Sequence, residues 1–79
     1  MNDTKILTFL KKNGEAGYTS KRIADTTKIN IISTRRLLKK LKKNRKRKVN
    51  VTRLQMPVQR QLMFFYHIKE KQKIKKWVY

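Results

Sequence analysis

Cysteine is absent from the sequence, and acidic side chains are scarce, with 4 Asp and Glu among 79 residues. Without cysteine the chain forms no disulfide and holds no thiolate-bound metal. The four carboxylates are scattered, so the paired carboxylates of a two-metal nuclease are missing, and His67 is the single histidine. We therefore expect no enzymatic activity, no metal site and no cofactor, and a plain strand position for His67.

A long apolar run is also missing. The longest mostly apolar stretch without a formal charge is residues 61–68, which is eight residues against the roughly 20 that cross a bilayer. Residues 1–15 lack the basic leader and continuous apolar core of a signal peptide, so we expect them to belong to the mature structure. We expect no membrane partner, and either a cytoplasmic, nucleoid-associated protein or an intracellular viral or plasmid protein.

Positive charge is what the sequence has in excess. Lys and Arg number 23, and the formal net charge of +19 is far beyond what solubility requires. The charge is +3 over residues 1–34 and +16 over residues 35–79, and residues 39–48 hold eight basic side chains in ten. Cations at this density repel one another unless an anion neutralises them. The composition therefore predicts a polyanionic partner, and we take this partner to be a nucleic acid.

The length limits the chain to one domain. A core built from 38% apolar residues buries only about 60 to 65% of the unfolded surface at this size, so the fold is marginal as a monomer. We expect a single domain over residues 1–79, with its core at residues 3–68 and a basic tail at residues 69–79.

The first predicted helix is short and amphipathic. It begins at a cap formed by Asp3 or Thr4 and ends at the Asn-Gly pair of residues 13–14, which favours a left-handed terminus. A turn at the Gly-Tyr pair of residues 17–18 separates it from the next helix. Its apolar face consists of Ile6, Leu7 and Leu10.

A second and a third helix follow. Thr19 or Ser20 caps the second helix, which runs to about Thr26, and Asn30 caps the third, which runs from Ile31 to about Lys43 and frays after Asn44. The basic side chains of the third helix occupy the faces that its apolar residues leave free. The inward residues are Ile23 and Ala24 in the second helix and Ile31, Thr34, Leu38 and Leu41 in the third.

A β-hairpin is predicted after the helices. Apolar and polar residues alternate from residue 49 to residue 52, as in a half-buried strand, and Pro57 interrupts the pattern before residues 61–68 resume it. The second strand is apolar on both faces, so the side that carries Met63 and Phe65 needs a cover. The C-terminal tail can supply this cover.

The tail places Ile74, Trp77 and Val78 at the spacing of one helical face. This spacing predicts a short C-terminal helix that folds onto the second strand or onto a partner subunit. Because a chain this short gains most by burying an apolar edge in a twofold partner, we expect a homodimer through these three residues.

The aromatic residues of the hairpin and tail allow two interpretations. They can stack on unpaired bases of a single strand or of RNA, but aromatic residues on a strand that faces a small core are more often packing groups. We therefore expect packing roles for this set, which comprises Phe64, Phe65, Tyr66 and Trp77.

The order helix, helix, turn, basic helix and β-hairpin resembles the winged helix-turn-helix family of DNA-binding domains over about residues 3–68. The segment TSKRIADTTKINIISTRRLLKKL, residues 19–41, is similar to the family's capped helix with an inward Ala, short turn and capped recognition helix. Asn44 stands where the family has Gly, and Pro57 takes the place of a Gly-containing wing turn. The residues that carry the resemblance are Thr19, Ala24, Ile29, Asn30, Thr34, Leu38 and Leu41.

The resemblance implies a mainly α, α+β fold with three helices and a two-stranded wing, whose third helix enters the major groove of double-stranded DNA. Arg can bridge the O6 and N7 atoms of guanine, and an exposed Ile can pack on a thymine methyl group. Ile31 and Ile32 cannot both face inward, so one of them is exposed. The start of helix two suits a phosphate, and two arginines flank the wing. The expected DNA-binding residues are Thr19, Ser20, Lys21, Ile31, Ile32, Ser33, Arg35, Arg36, Lys39, Lys40, Lys43, Arg45, Lys46, Arg53 and Arg60.

Three functions are compatible with these features. We favour a DNA-binding transcription regulator, because polar and apolar residues, and not Lys alone, occupy the reading face of helix three. The alternatives are a structural RNA-binding protein, like the winged-helix proteins of the small ribosomal subunit, and a nucleoid-packing protein with little sequence preference. Both alternatives suit the Lys-rich composition.

Overall fold

Three helices and one four-stranded sheet make up the fold in the computed structural model, which describes residues 2–43, 49–56, 60–68 and 74–78. In chain order the elements are α1 (Asn2–Lys12), β1 (Ala16–Tyr18), α2 (Ser20–Thr27), α3 (Ile31–Lys43), β2 (Val49–Gln55), β3 (Leu62–Ile68) and β4 (Lys76–Val78). The expected α+β class is confirmed, but the sheet has four strands in the order β2-β3-β1-β4 instead of the two strands of a wing.

The caps of α2 and α3 are as the sequence predicts. Thr19 has an extended backbone, and its hydroxyl accepts a hydrogen bond from the Arg22 N–H at 3.3 Å. Asn30 Oδ1 accepts from the Ile32 N–H at 2.8 Å. Lys28 closes α2 in the left-handed conformation, with φ of 60°. Within the described part of the chain, no helix is long and apolar enough to span a membrane.

The ends of α1 differ from the expectation. Asp3 and Thr4 both lie inside the helix, and Asp3 Oδ1 accepts from the Thr4 N–H at 2.9 Å, so neither residue is the cap. At the other end, the Asn13 side-chain amide donates to the Phe9 carbonyl at 2.9 Å, and neither Asn13 nor the glycine after it has a left-handed φ. A side-chain hydrogen bond thus takes the place of the predicted left-handed terminus.

The predicted turn at residues 17–18 is wrong, because both residues belong to β1. This strand pairs antiparallel with β3, at Tyr18 opposite Tyr66, and its other edge pairs parallel with β4. Gly17 suggested a turn in the sequence, but its role is to let Trp77 lie against the backbone of β1.

The predicted C-terminal helix is also wrong, because the tail ends in a strand. In the parallel pairing of β1 with β4, Gly17 lies opposite Trp77 and Tyr18 opposite Val78. The Thr19 N–H donates to the Val78 carbonyl at 3.1 Å. A short helix is only marginally stable by itself, whereas the edge of β1 presents unpaired N–H and C=O groups. The tail pairs with this edge, although its apolar residues have helical spacing.

The predicted hairpin is confirmed. Strands β2 and β3 pair antiparallel from Val49 opposite Ile68 to Gln55 opposite Leu62. Arg60, at the start of the returning strand, has a left-handed φ of 49°. The predicted wing turn at Pro57 and the fraying of helix three after Asn44 lie outside the described residues.

The core lies between the helices and one face of the sheet. Predicted inward residues from all three helices are buried there, and Val49 and Ile68 close the core from the hairpin. Leu7 and Ile31 are only half-buried, so the apolar stripe of α3 is narrower than predicted. The buried helix residues are Ile6, Leu10, Ile23, Ala24, Thr34, Leu38 and Leu41.

The opposite face of the sheet has a small cluster of its own. Phe65 is fully buried there, and the Trp77 ring meets it edge-on with 5.5 Å between ring centroids. The tail therefore supplies the cover that the second face of β3 needs, although it does so as a strand. Each face of the sheet is thus packed by side chains of the same chain.

Replacing Gly17 with Ala tests this packing. A Cβ at Gly17 lies 2.7 Å from two ring carbons of Trp77, so G17A must displace the indole and should destabilise the fold by about 1–3 kcal/mol. Urea unfolding followed by the fluorescence of Trp77, the single tryptophan, measures the loss. The control is G14A, at a turn glycine without a left-handed φ. Equal unfolding midpoints for the two variants would contradict the docking of β4.

Candidate nucleic-acid interface

A groove of ≈ 960 Å³ runs between α3 and the β2–β3 hairpin, with the start of α2 at its edge. Five cations from these elements line it, and the described lining residues include no carboxylate. We call it the cationic groove. Its basic residues are Lys21, Arg35, Lys39, Lys42 and Arg53.

The first turn of α2 forms one edge of the cationic groove. Thr19, Ser20 and Lys21 all line it. The backbone N–H groups of a first helical turn carry the positive end of the helix dipole, which favours an anion. The buried Thr19 cap fixes where this helix starts, so it also fixes the position of the turn at the groove edge.

Helix α3 supplies the facing wall. Arg35, Lys39 and Lys42 lie four and three residues apart, so they form one row along the helix. This row is adjacent to the core stripe of Thr34 and Leu38, which holds the helix in place. The packing of α3 therefore sets the distance between the row of cations and the hairpin.

A second row of α3 faces away from the core. Its members follow one another at intervals of four, three and four residues, and all are exposed. Ile32 is 60% exposed while Ile31 is half-buried, which settles which of the two isoleucines faces solvent. Lys39 belongs both to this row and to the groove. We call the row the outer stripe of α3, and it consists of Ile32, Arg36, Lys39 and Lys43.

The hairpin wall of the groove is apolar as well as cationic. Arg53 lies directly opposite Phe64 in the strand register, and Val51 lies opposite Tyr66. Burial raises the pKa of Tyr66, and the positive charge of Arg35 opposes this rise. Tyr66 and Arg35 both line the groove, one from each wall.

The expected packing role holds for three of the four aromatic residues. Phe65 is buried, Trp77 packs on it, and Tyr66 packs against the main core. Phe64 is 46% exposed and lines the groove, so its predicted packing role is wrong. Leu62, two residues earlier on the same side of β3, is 53% exposed as well, so the core leaves this end of the strand uncovered.

The structure brings together only part of the predicted DNA-binding set. Ile31, Ser33, Lys40 and Arg60 do not line the groove or belong to the outer stripe, and Arg45 and Lys46 lie outside the described residues. Lys42, Gln61 and Leu62 line the groove although they were not in that set. Six predicted residues line the groove, namely Thr19, Ser20, Lys21, Arg35, Lys39 and Arg53, and Ile32, Arg36 and Lys43 join Lys39 on the outer stripe.

His67 lies on the far face of the sheet, away from the groove. Its Nε2 is 2.8 Å from the hydroxyl of Thr52, and its ring meets Trp77 with 6.3 Å between centroids. Among the residues that the structure describes, no three His, Cys, Asp or Glu side chains are grouped so that they could hold a metal ion. His67 is a residue of β3, as the sequence predicts.

The residues predicted to form a homodimer contact their own chain. Val78 packs against the main core and Trp77 against Phe65, while Ile74 is half-buried. Trp77 and Val78 thus pack within their own chain as part of the sheet. The homodimer itself stays a prediction.

The fold and the groove together define an α+β domain with a cationic groove between a helix pair and a hairpin. Comparison with known proteins adds no relative to this description. No protein-family model, no curated protein and no solved structure gives a significant match to the chain. Any function must therefore be argued from the groove and the outer stripe.

The Thr19 cap provides a test of how the groove edge is held. Replacing Thr19 with Val removes the hydroxyl that accepts the Arg22 N–H but nearly keeps the side-chain shape, and should lower the free energy of unfolding by about 1 kcal/mol. The matched control is Thr19→Ser, which keeps the hydroxyl. Chemical denaturation of both variants gives the comparison. A larger loss for Ser than for Val would show that the methyl group, and not the cap, matters.

Proposed function

We propose that the chain is a DNA-binding protein of the transcription-regulator type, which acts inside the cell and inserts the outer stripe of α3 into the major groove of a duplex. The observation that carries this proposal is the arrangement of the cations. The groove gathers five of them around one face of α3, and the outer stripe adds Arg36 and Lys43. One polyanion bound on this side of α3 can therefore contact both the groove cations and the outer-stripe cations.

The shape of the outer stripe suits a major groove. An α-helix with its side chains is about 10–12 Å across, and the major groove is about 12 Å wide. The stripe faces directly away from the core, so the described part of the chain does not obstruct it. Arg36 can then reach guanine edges, and the exposed Ile32 can pack on a thymine methyl group.

The cationic groove suits the phosphates of the same duplex. When α3 lies in a major groove, a phosphate backbone runs along each side of the helix. On the hairpin side that backbone passes Arg35 and Lys39 on α3 and Arg53 on β2. The first turn of α2 adds backbone N–H groups and Lys21. These contacts give affinity and orientation, while the outer stripe gives sequence preference.

We further propose that the domain belongs to the winged helix-turn-helix class, with the β2–β3 hairpin as its wing. The order α2, α3 and hairpin supports this assignment, as do the caps at Thr19 and Asn30. In this assignment β1 and β4 extend the wing into a four-stranded sheet.

A structural RNA-binding role is the second candidate. The net charge of +19 supports it, and so does the aromatic surface of Phe64 in the groove, because unpaired RNA bases stack on aromatic side chains. The outer stripe favours DNA over this alternative, since the major groove of A-form RNA is too narrow and deep for side chains to read.

Neutralising two groove cations tests the proposal. In the double variant R35Q/K39Q, the logarithm of duplex affinity should fall less steeply with the logarithm of salt concentration, by about two units if each residue contacts one phosphate. The control K11Q/K12Q removes the same charge from exposed positions of α1, outside the groove. Fluorescence anisotropy with labelled duplex at several salt concentrations gives the slopes.

Structured RNA and random-sequence duplex serve as competitors in the same assay. Equal changes of slope in the two double variants would contradict a role for the groove, because the charge would then act from any position. Tighter binding to structured RNA than to every duplex would favour the second candidate.

A further inference from the structure

Two exposed apolar side chains in the cationic groove are not explained by phosphate binding. The large apolar side chains exposed among the described residues are Ile32, Leu62 and Phe64. Ile32 belongs to the outer stripe, but Leu62 and Phe64 line the groove and are 53% and 46% exposed. Phosphates bind cations and N–H groups and have no favourable contact to offer an apolar surface. The groove therefore suits a ligand that carries apolar surface as well as negative charge.

The geometry places the phenyl ring among cations. Leu62 and Phe64 are two residues apart on β3, so both side chains point to the same side of the hairpin. Arg53 lies directly opposite Phe64 in the register, and directly opposed residues have Cβ atoms about 4.5–5.5 Å apart. Arg35 and Lys39 lie across the groove on α3. An apolar ring flanked by positive charges results.

A polynucleotide strand carries flat apolar bases and regularly spaced phosphates, and it matches both features. In an intact duplex each base is covered on both faces by its neighbours, so a ring in the groove has no base face to contact. An unpaired strand exposes these faces. The occupant that fits the apolar and cationic walls together is therefore an unpaired strand. A duplex backbone can contact the cations of the groove, but it leaves Phe64 without a partner, so a free strand next to the duplex takes its place there.

We propose that the cationic groove binds an unpaired DNA strand, with a base stacked on Phe64 and its phosphates on Arg35, Lys39 and Arg53. The protein then binds best where duplex DNA adjoins a single strand, with the outer stripe of α3 in the duplex and the groove on the free strand. The duplex half of this inference rests on the proposed function; the strand half rests on Phe64 and the cations around it.

The test compares affinities of the 79-residue chain for labelled DNA probes that share one duplex sequence. One probe is blunt, one carries a single-stranded DNA tail of about ten nucleotides, within the site sizes of single-strand-binding grooves, and one carries the same tail as RNA. The wild-type protein should bind the DNA-tailed probe more tightly than the blunt one. The ratio of these two affinities is the readout.

Three variants show whether the aromatic ring is responsible. Phe64→Leu keeps an apolar side chain but removes the ring, and should reduce affinity for the tailed probe by about 5- to 100-fold, as expected for one lost base stack. Phe64→Tyr keeps the ring and should keep the tail preference. Ile32→Ala, on the outer stripe, should weaken both probes and leave their ratio unchanged. Far-ultraviolet circular dichroism verifies that each variant folds.

Distinct outcomes overturn the inference and the proposed function. Equal wild-type affinity for blunt and tailed probes, or a Phe64→Leu variant that keeps the tail preference, would overturn the groove assignment and leave duplex binding in place. Equal losses on both probes in Phe64→Leu would place the ring on the duplex and overturn it too. Preference for the RNA tail would overturn the choice of DNA. A wild-type protein that binds no duplex would overturn the proposed function.

Discussion

The packing of one narrow apolar stripe of α3 holds this basic helix, and with it the cations of the groove and of the outer stripe, in position. Thr34, Leu38 and Leu41 are buried against the rest of the domain, while basic residues fill the remaining faces of the same helix. Because like charges repel, a helix this basic is held only as firmly as that stripe allows. An anion bound to the exposed faces removes the repulsion, so ligand binding and stability of the fold are linked.

The C-terminal strand lets so small a chain sustain such a helix. A single layer of helices over one sheet face leaves the other face open, and a chain of 79 residues has little apolar surface to spare. Trp77 covers Phe65 on that face, and Val78 reaches the main core from the same strand. The hairpin is therefore held at its β3 strand from both sides, which keeps the groove wall in position opposite α3.

Sequence patterns predicted what depends on local chemistry and missed what depends on tertiary pairing. The caps at Thr19 and Asn30, the buried face of α3 and the hairpin follow from side-chain hydrogen bonding and periodicity. Strands β1 and β4 have three residues each, which is too short to show an alternation of apolar and polar residues. Their structure depends on pairing with other strands of the sheet. Four of the five groove cations, all except Lys42, were among the residues that the winged helix-turn-helix resemblance implied. The exposure of Phe64 was not predicted. Both faces of β3 are apolar, so the sequence alone does not show which part of the strand the core leaves uncovered.

We propose that nucleic acid binds the side of the molecule formed by α2, α3 and the hairpin. Nuclear magnetic resonance with ¹⁵N-labelled protein measures this directly, by following backbone amide shifts as duplex DNA is added at moderate salt. The shifts should concentrate in the first turn of α2, along α3 and on β2 and β3, while amides of α1 and β4 change little. Shifts concentrated on α1 and β4 would place the ligand on the opposite side of the molecule and would contradict the proposed interface.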